Sequence, residues 1–231
     1  MKLRRLMRMG PYELMERSRQ EALKRLERSG WVTRPAPRLE VSLADWQAAA
    51  PVRFFQGAST ATSSLVAARW PGTCENITRT AAATCNNRFD LLGYEDLSFG
   101  DPVDWHLDPV SGRRAPLTHW SRLDPLAATA LGDSKVIWEL NRHQWLVGLG
   151  CAYRLSGDER YAVAAVDSIG EWIAANPPGL GVNWASSLEV ALRLISWCWA
   201  AVLLLGSKAT SEDLFATWLG SIRRHALHVE R

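Results

Sequence analysis

Between Ser134 and Leu205 the chain reads as long apolar helical stretches separated by turns of a few residues, and that pattern leaves few folds open. Ser134–Leu155 is rich in Trp, Leu, Val and Ala, and Gly157 ends it. Asp158 restarts the chain into Asp158–Asn176, where Tyr161, Ala164, Val166, Ile169 and Ile173 are apolar, until Pro177 and Pro178 stop it. A tight loop, Pro178–Val182, leads to a third helix, Trp184–Leu205, closed by Gly206. Ser211–Arg231 begins a fourth, with Ser211 as its cap and Glu212 and Asp213 in its first turn. Helices joined this tightly pack as antiparallel hairpins, which makes the fold all-α.

The chain before Ser134 is less regular. Pro11–Arg28 is an amphipathic helix, with Pro11 in its first turn, Leu14, Ala22, Leu23 and Leu26 at helical spacing, and Gly30 at its end. The two prolines of TRPAPR, Thr33–Arg38, form a linker. Residues 1–38 are therefore an N-terminal helix and linker, and 39–231 the helical-hairpin domain. Ser42–Ala50 is a short helix capped by Ser42 with Asp45 at its third position. Pro51–Gln56 reads as extended, Ala58–Arg69 as weakly helical, and Gly72–Asn87 has no clear pattern. Asn87–Pro116 is dense in Gly, Pro and Asp and reads as a long loop with one short hairpin. No repeat of about 34 residues runs through the chain, so a tetratricopeptide array fits poorly. Hairpins with unequal loops fit part of an incomplete α/α toroid with a long loop-rich N-terminal segment.

Charge and composition remove other classes. A formal net charge of +3 over 231 residues is too small to indicate nucleic-acid binding. Basic residues do crowd the first stretch, from Lys2 to Arg28, where a solvated helix face is the simpler reading and an anionic surface the other. Twelve tryptophans fill helix–helix cores, and such rings also stack on sugars. Cys74, Cys85, Cys151 and Cys198 form no close CxxC pair, so no metal site is expected. Cys151 and Cys198 lie in apolar helices as packing thiols, and Cys74 and Cys85 are a candidate disulfide in an oxidising compartment. The start MKLRRLMRMGPYELM carries no apolar run of a secretory signal, which leaves the cytoplasm as the default location. Val190–Leu205, interrupted by Arg193, is a buried helix and too short for a transmembrane span. No cofactor motif is present.

Polar residues gather at two helix starts. Glu139, Asn141, Arg142, His143 and Gln144 form one group, and Asn183, Ser186, Ser187, Glu189 and Arg193 the other. Glu139, Arg142 and His143 stand at i, i+3 and i+4, neighbours on one helix face, so Glu139 can hold Arg142 or orient His143. That arrangement also suits an ion pair gluing two hairpins together. Asn183 either caps the helix of Trp184 or, if Ser186 caps it with Glu189 as box partner, is left to face a ligand. Polar groups at the ends of such apolar helices point to a cleft.

The strings WELNRHQWLVGLGCAYRLSGDERYA and NPPGLGVNWASSLEVALR, with RFDLLGYEDLSFGDPVDWHLDPVSGRRAPLTHW before them, resemble the N-terminal helical domain of the heparinase II/III family of polysaccharide lyases. The resemblance runs from about Phe89 to Arg231. It implies an incomplete α/α toroid followed by an antiparallel β-sandwich, and β-elimination on uronic-acid-containing polysaccharides of heparin-like or alginate-like type. The C5 proton of a uronate is too weakly acidic to remove until the adjacent carboxylate is neutralised by hydrogen-bond donors. A base then takes that proton, and an acid, often Tyr, protonates the leaving oxygen. By resemblance, Asn183 of GVNW is the neutralising residue, and Asn141, Arg142, His143, Glu139 and Trp184 line the anionic sugar cleft. The family's catalytic Tyr lies on a later helix, and none of Tyr12, Tyr94, Tyr153 and Tyr161 stands in its place.

These 231 residues are therefore expected to be the first portion of a lyase, inactive alone and lacking its β-sandwich. The expected partner is an acidic polysaccharide, and the resemblance admits a periplasmic location. A non-catalytic acidic-glycan-binding or scaffold domain is the alternative. A toroid hydrolase needs two carboxylates flanking one bond, and Asp101 and Asp104 are loop acids rather than such a pair.

Overall fold

A computed structural model describes residues 10–29, 41–53 and 59–230. The MKLRRLMRM start, Gly30, the TRPAPR linker and residues 54–58 lie outside the described residues. By contacts the chain divides into two units, Met1–Ala36 and Pro37–Glu230.

In the first unit α1 spans Pro11–Arg28, as its periodicity predicts, with Pro11 at the helix start. Its face carries i,i+3 and i,i+4 ion pairs, Arg17 with Glu13 at 3.0 Å and Lys24 with Glu21 at 2.8 Å. Tyr12, Met15 and Leu26 are exposed on it.

The second unit is helical apart from two small hairpins. Helix α2, Leu43–Arg53, opens on the expected cap: Ser42 Oγ accepts from the Asp45 amide at 3.0 Å and donates to Asp45 Oδ2 at 2.7 Å. It runs through Pro51, where the sequence suggested extended chain. Ser59 caps α3, Thr60–Arg69, accepting from the Thr62 amide at 3.3 Å. Residues 72–87, without a clear pattern in sequence, begin inside α4, Pro71–Thr84, whose start is marked by Pro71.

The loop-rich stretch holds two hairpins where one was expected. Strands β1, Arg88–Leu91, and β2, Tyr94–Ser98, pair antiparallel, and β3, Leu107–Asp108, pairs with β4, Arg113–Arg114. Leu92 and Gly93 both have positive φ, 55° and 82°, the mirror-image geometry a two-residue hairpin needs. One short helix follows, α5, Ala128–Leu131.

The expected single helix from Ser134 is two: α6, Ser134–Asn141, and α7, Gln144–Ser156. They break at His143, which is left-handed at φ 59°. Its ring is fully buried, within 6 Å centroid distance of Trp105, Trp172 and Trp197, so tertiary burial overrides local helix continuation. Gly157, at φ 69°, closes α7, and Asp158 caps α8, Glu159–Ala175. Residues Val182–Trp184 form a 3-10 turn before α9, Ser187–Leu203, and Ser211 caps α10, Glu212–Val229.

Helix α7 packs on α8, α9 and α4, and α10 packs on α9 and α8. The core between them is built from Leu146, Leu149, Ala165, Ile169, Trp172, Val190, Trp197 and Trp218. Arg154 ties α7 to α9, donating from Nε to the Leu203 carbonyl at 2.7 Å and from Nη2 to Val202 at 2.9 Å, where a cation meets the helix C-terminus. Among the described residues no helix is long and apolar enough to cross a membrane. All four cysteines are free, so the candidate Cys74–Cys85 pair is not formed; Cys151 and Cys198 are half-buried.

Helices α7 and α9 come close together at Gly150, where a Cβ would sit 2.7 Å from Leu203 Cβ. Gly150→Ala is expected to destabilise the chain by about 1–3 kcal/mol, the overpacking penalty. Gly148, on the same helix, has open space around its Cα. Gly148→Ala is expected to stabilise by up to about 1 kcal/mol through helix propensity. Urea midpoints of opposite sign for the two variants check the packing; equal shifts would refute it.

Candidate active site

Four side chains at the predicted positions meet inside the second unit. Asn141, His143, Asn183 and Trp184 are all at most 2% exposed, while Glu139 and Arg142 reach partial exposure at its edge. The expected open cleft is thus an enclosed polar centre in this chain.

Asn141 ends α6 and spends its amide fully inward. Its Nδ2 donates to the carbonyls of Trp105 at 2.9 Å and Ile137 at 2.7 Å, and its Oδ1 accepts from Trp172 Nε1 at 2.7 Å. Asn183 caps no helix and sits in the 3-10 turn before α9. Its Nδ2 donates to Asn176 Oδ1 at 2.9 Å and to the same Trp105 carbonyl at 3.1 Å. Asn176 is itself oriented, its Nδ2 donating to the Trp172 carbonyl at 2.9 Å. Both partners of Asn183 are acceptors, which fixes the amide's orientation. Its Oδ1 is buried and has no partner among the described residues.

The expected Glu139–His143 hydrogen bond does not form among the described residues. Trp197 Nε1 donates to His143 Nδ1 at 2.7 Å. Burial first, and the Arg193 charge next, push the imidazole well below its ordinary range, so it is neutral with its proton on Nε2. That buried N–H also lacks a partner among the described residues.

Glu139 does hold Arg142, as the spacing predicts. Arg142 reaches further, gripping Glu189 of α9 through Nε at 2.6 Å and Nη2 at 3.0 Å. The pair of hydrogen bonds it donates to Glu189 holds the Arg142 guanidinium above its ordinary pKa. Glu189 is therefore engaged across helices, and Ser186, though it stands at the N-cap, makes no side-chain cap bond.

In the sequence Arg193 stands in the second polar group and interrupts an apolar run. It is fully buried. Its Nε donates to His225 Nε2 at 2.9 Å, Nη1 to the Asn141 carbonyl at 3.1 Å and Nη2 to the Asn183 carbonyl at 2.9 Å. The guanidinium carbon lies 4.2 Å from the Trp172 ring centroid. Burial pushes its pKa down to about 9, which leaves it charged at neutral pH. His225, at the far end of α10, donates from Nδ1 to the Ser221 carbonyl at 2.7 Å. His106 wedges inside the same loop, its Nε2 3.2 Å from the Ala175 carbonyl.

The centre thus combines paired asparagines, unspent polar atoms and a ring of tryptophans inside a helical domain. Residues 52–231 match the heparinase II/III N-terminus family, and the chain belongs to that family. A heparin-sulfate lyase of Bacteroides stercoris is 27% identical over 162 residues, covering 61% of this chain and 21% of that protein. The heparin-sulfate lyase of Pedobacter heparinus is 26% identical over 139 residues, covering 58% of this chain and 18% of that protein. One from Bacteroides thetaiotaomicron is 41% identical over 59 residues, covering 24% of this chain and 8% of that protein. The chain thus spans about a fifth or less of the length of the relatives it matches. No solved structure matches it.

Proposed function

We propose that residues 39–231 are the N-terminal part of an α/α toroid in a lyase that cleaves uronic-acid-containing polysaccharide, of the heparin-sulfate type, by β-elimination. Asn183 neutralises the uronate carboxylate, and Asn141, Arg142, His143, Glu139 and Trp184 shape the surroundings. The observation that carries this reading is the state of the Asn183 amide. Trp105's carbonyl is served twice, by Asn141 at 2.9 Å and Asn183 at 3.1 Å. Asn183 can release that bond to a carboxylate and leave the carbonyl still satisfied, which avoids the usual 1–3 kcal/mol or so for orphaning a buried acceptor. The N–H of His143 is a second donor, already desolvated and unspent. Donors held in a dry site act strongly on the charge that grows on the carboxylate as C5 loses its proton. Substrate entry requires the enclosing side chains to move aside.

The proton-moving groups come from outside this set. Among the described residues no tyrosine hydroxyl hydrogen-bonds to Asn183 or His143, so we expect the 231 residues alone to release no unsaturated uronate. The test is Asn183→Ala in the longest natural product of the gene, assayed by the ultraviolet absorbance of the unsaturated sugar. Losing one such donor is expected to lower kcat about 100- to 1,000-fold. A rate near that of the parent would end the assignment. The enclosure of the centre favours one other reading, a domain that binds acidic glycan without cutting it. Binding by the same full-length product with no cleavage would support that instead.

A further inference from the structure

We propose that Arg193 is a positioning residue for Asn183, holding the Asn141 and Asn183 main chains at one fixed separation so that the Asn183 amide is aimed before substrate arrives. The proposal rests on the reading of Asn183 given above. Arg193 lies one helical turn and more into α9, with both its terminal nitrogens committed to main-chain carbonyls: Asn141 at 3.1 Å and Asn183 at 2.9 Å. Those two residues are the pair whose side chains share the Trp105 carbonyl. One planar fork therefore fixes from behind the two amides that meet in front.

Three features make this a clamp rather than ordinary packing. The guanidinium is fully buried, yet no carboxylate among the described residues pairs with it; Glu189, the acid on its own helix, is gripped by Arg142. A buried cation of this kind is costly, so a packing role alone would favour an apolar side chain. Each of its three kinds of nitrogen has a distinct partner, Nε with His225, Nη1 with Asn141 and Nη2 with Asn183. The plane is further set by Trp172 at 4.2 Å below it. A lysine keeps the charge but offers one nitrogen, and it cannot reproduce the fork.

The experiment is a double-mutant cycle in the longest natural product of the gene, combining Arg193→Lys with Asn183→Ala. Arg193→Lys alone is expected to lower kcat about a hundredfold, the effect of displacing a reacting group by about 1 Å, while KM changes less than about threefold. In the Asn183→Ala background, Arg193→Lys is expected to add almost no further loss, because it acts through the side chain already removed. Additive losses in the cycle, or an Arg193→Lys rate near that of the parent, would overturn the proposal. If Asn183→Ala itself keeps parental activity, the reading of Asn183 fails first, and the cycle shows which of the two has failed. The 231-residue chain supplies a measurement independent of turnover. The nuclear magnetic resonance signals of the Asn183 side-chain amide are expected to shift and broaden in Arg193→Lys and to stay in place in Gly148→Ala. Should Arg193→Lys not fold, His225→Leu, which removes the Nε partner and leaves the Asn141 and Asn183 carbonyls in place, is expected to broaden the same signals. Unmoved signals in either variant count against the clamp.

Discussion

Asn141→Leu is expected to destabilise the 231-residue chain by about 1–3 kcal/mol, although leucine is close in size and more apolar. The reason lies in what the substitution strands. Trp172 is fully buried, and its indole N–H has Asn141 Oδ1 at 2.7 Å as its partner. Without that oxygen a desolvated donor is left unmatched. The Trp105 carbonyl suffers less, because Asn183 still donates to it. Trp172→Phe strands the opposite atom, the Asn141 oxygen, and also removes indole surface from the Arg193 face. Each single change leaves one half of a bond behind. The double variant leaves neither, so it is expected to be more stable than the sum of the two losses by about 1 kcal/mol or more. Urea denaturation of the four proteins measures this. Simple additivity, or an Asn141→Leu midpoint equal to the parent's, would show that the bond contributes nothing.

Acid is the second strong lever. His143 and His225 are both held neutral, and burial is the leading cause for each; His106 is lowered in the same direction and for the same reason. Each folded pKa is therefore depressed below the unfolded value of about 6.5. In such a case the unfolded chain binds the extra protons, so stability is intact above about pH 6.5 and is lost as pH falls toward the folded pKa. With His143 and His225 both titrating in the unfolded chain, the slope approaches about 2.7 kcal/mol per pH unit. The loss accumulates from about pH 6.5 downward until the folded pKa of each ring is reached. Glu171 opposes this weakly, since burial raises its carboxyl pKa. Urea midpoints should be level from about pH 7 to 8 and fall steeply below 6.5, and His225→Gln, which keeps an acceptor but does not titrate, should flatten the slope. A flat profile down to about pH 5 would mean that these rings are not held neutral.

Much of the helical frame is legible in punctuation. Pro11, Ser42 with Asp45, Gly157 followed by Asp158, and Ser211 each mark a boundary through local chemistry, and each boundary is found within a residue or two. What local chemistry does not carry is the break at His143. A left-handed histidine gives no sign of itself in sequence, because its cause is a pocket of tryptophans from α8, α9 and the loop of Trp105. The same holds for the 3-10 turn at Asn183, which looks like a helix cap until Asn176 and Trp105 claim its amide. Pro71 was a readable start for α4, hidden by the small polar residues that follow it. At the site, the residue types and the Glu139–Arg142 pair could be read from spacing. Arg193 and His225 could not be joined in advance, since they stand 32 positions apart in the chain.

That separation gives the chain a schedule as it leaves the ribosome. Trp105 and Asn141 emerge well before Arg193, and the acceptor for Arg193 Nε emerges only with His225. Until then, drawing the guanidinium inside would strand one of its N–H groups away from water. The hairpin of α7 and α8 is free to collapse early, but the polar centre has reason to stay wet until α10 has been made. A pause in translation before Ser221 would therefore catch this domain with its apolar walls assembled and its middle still open.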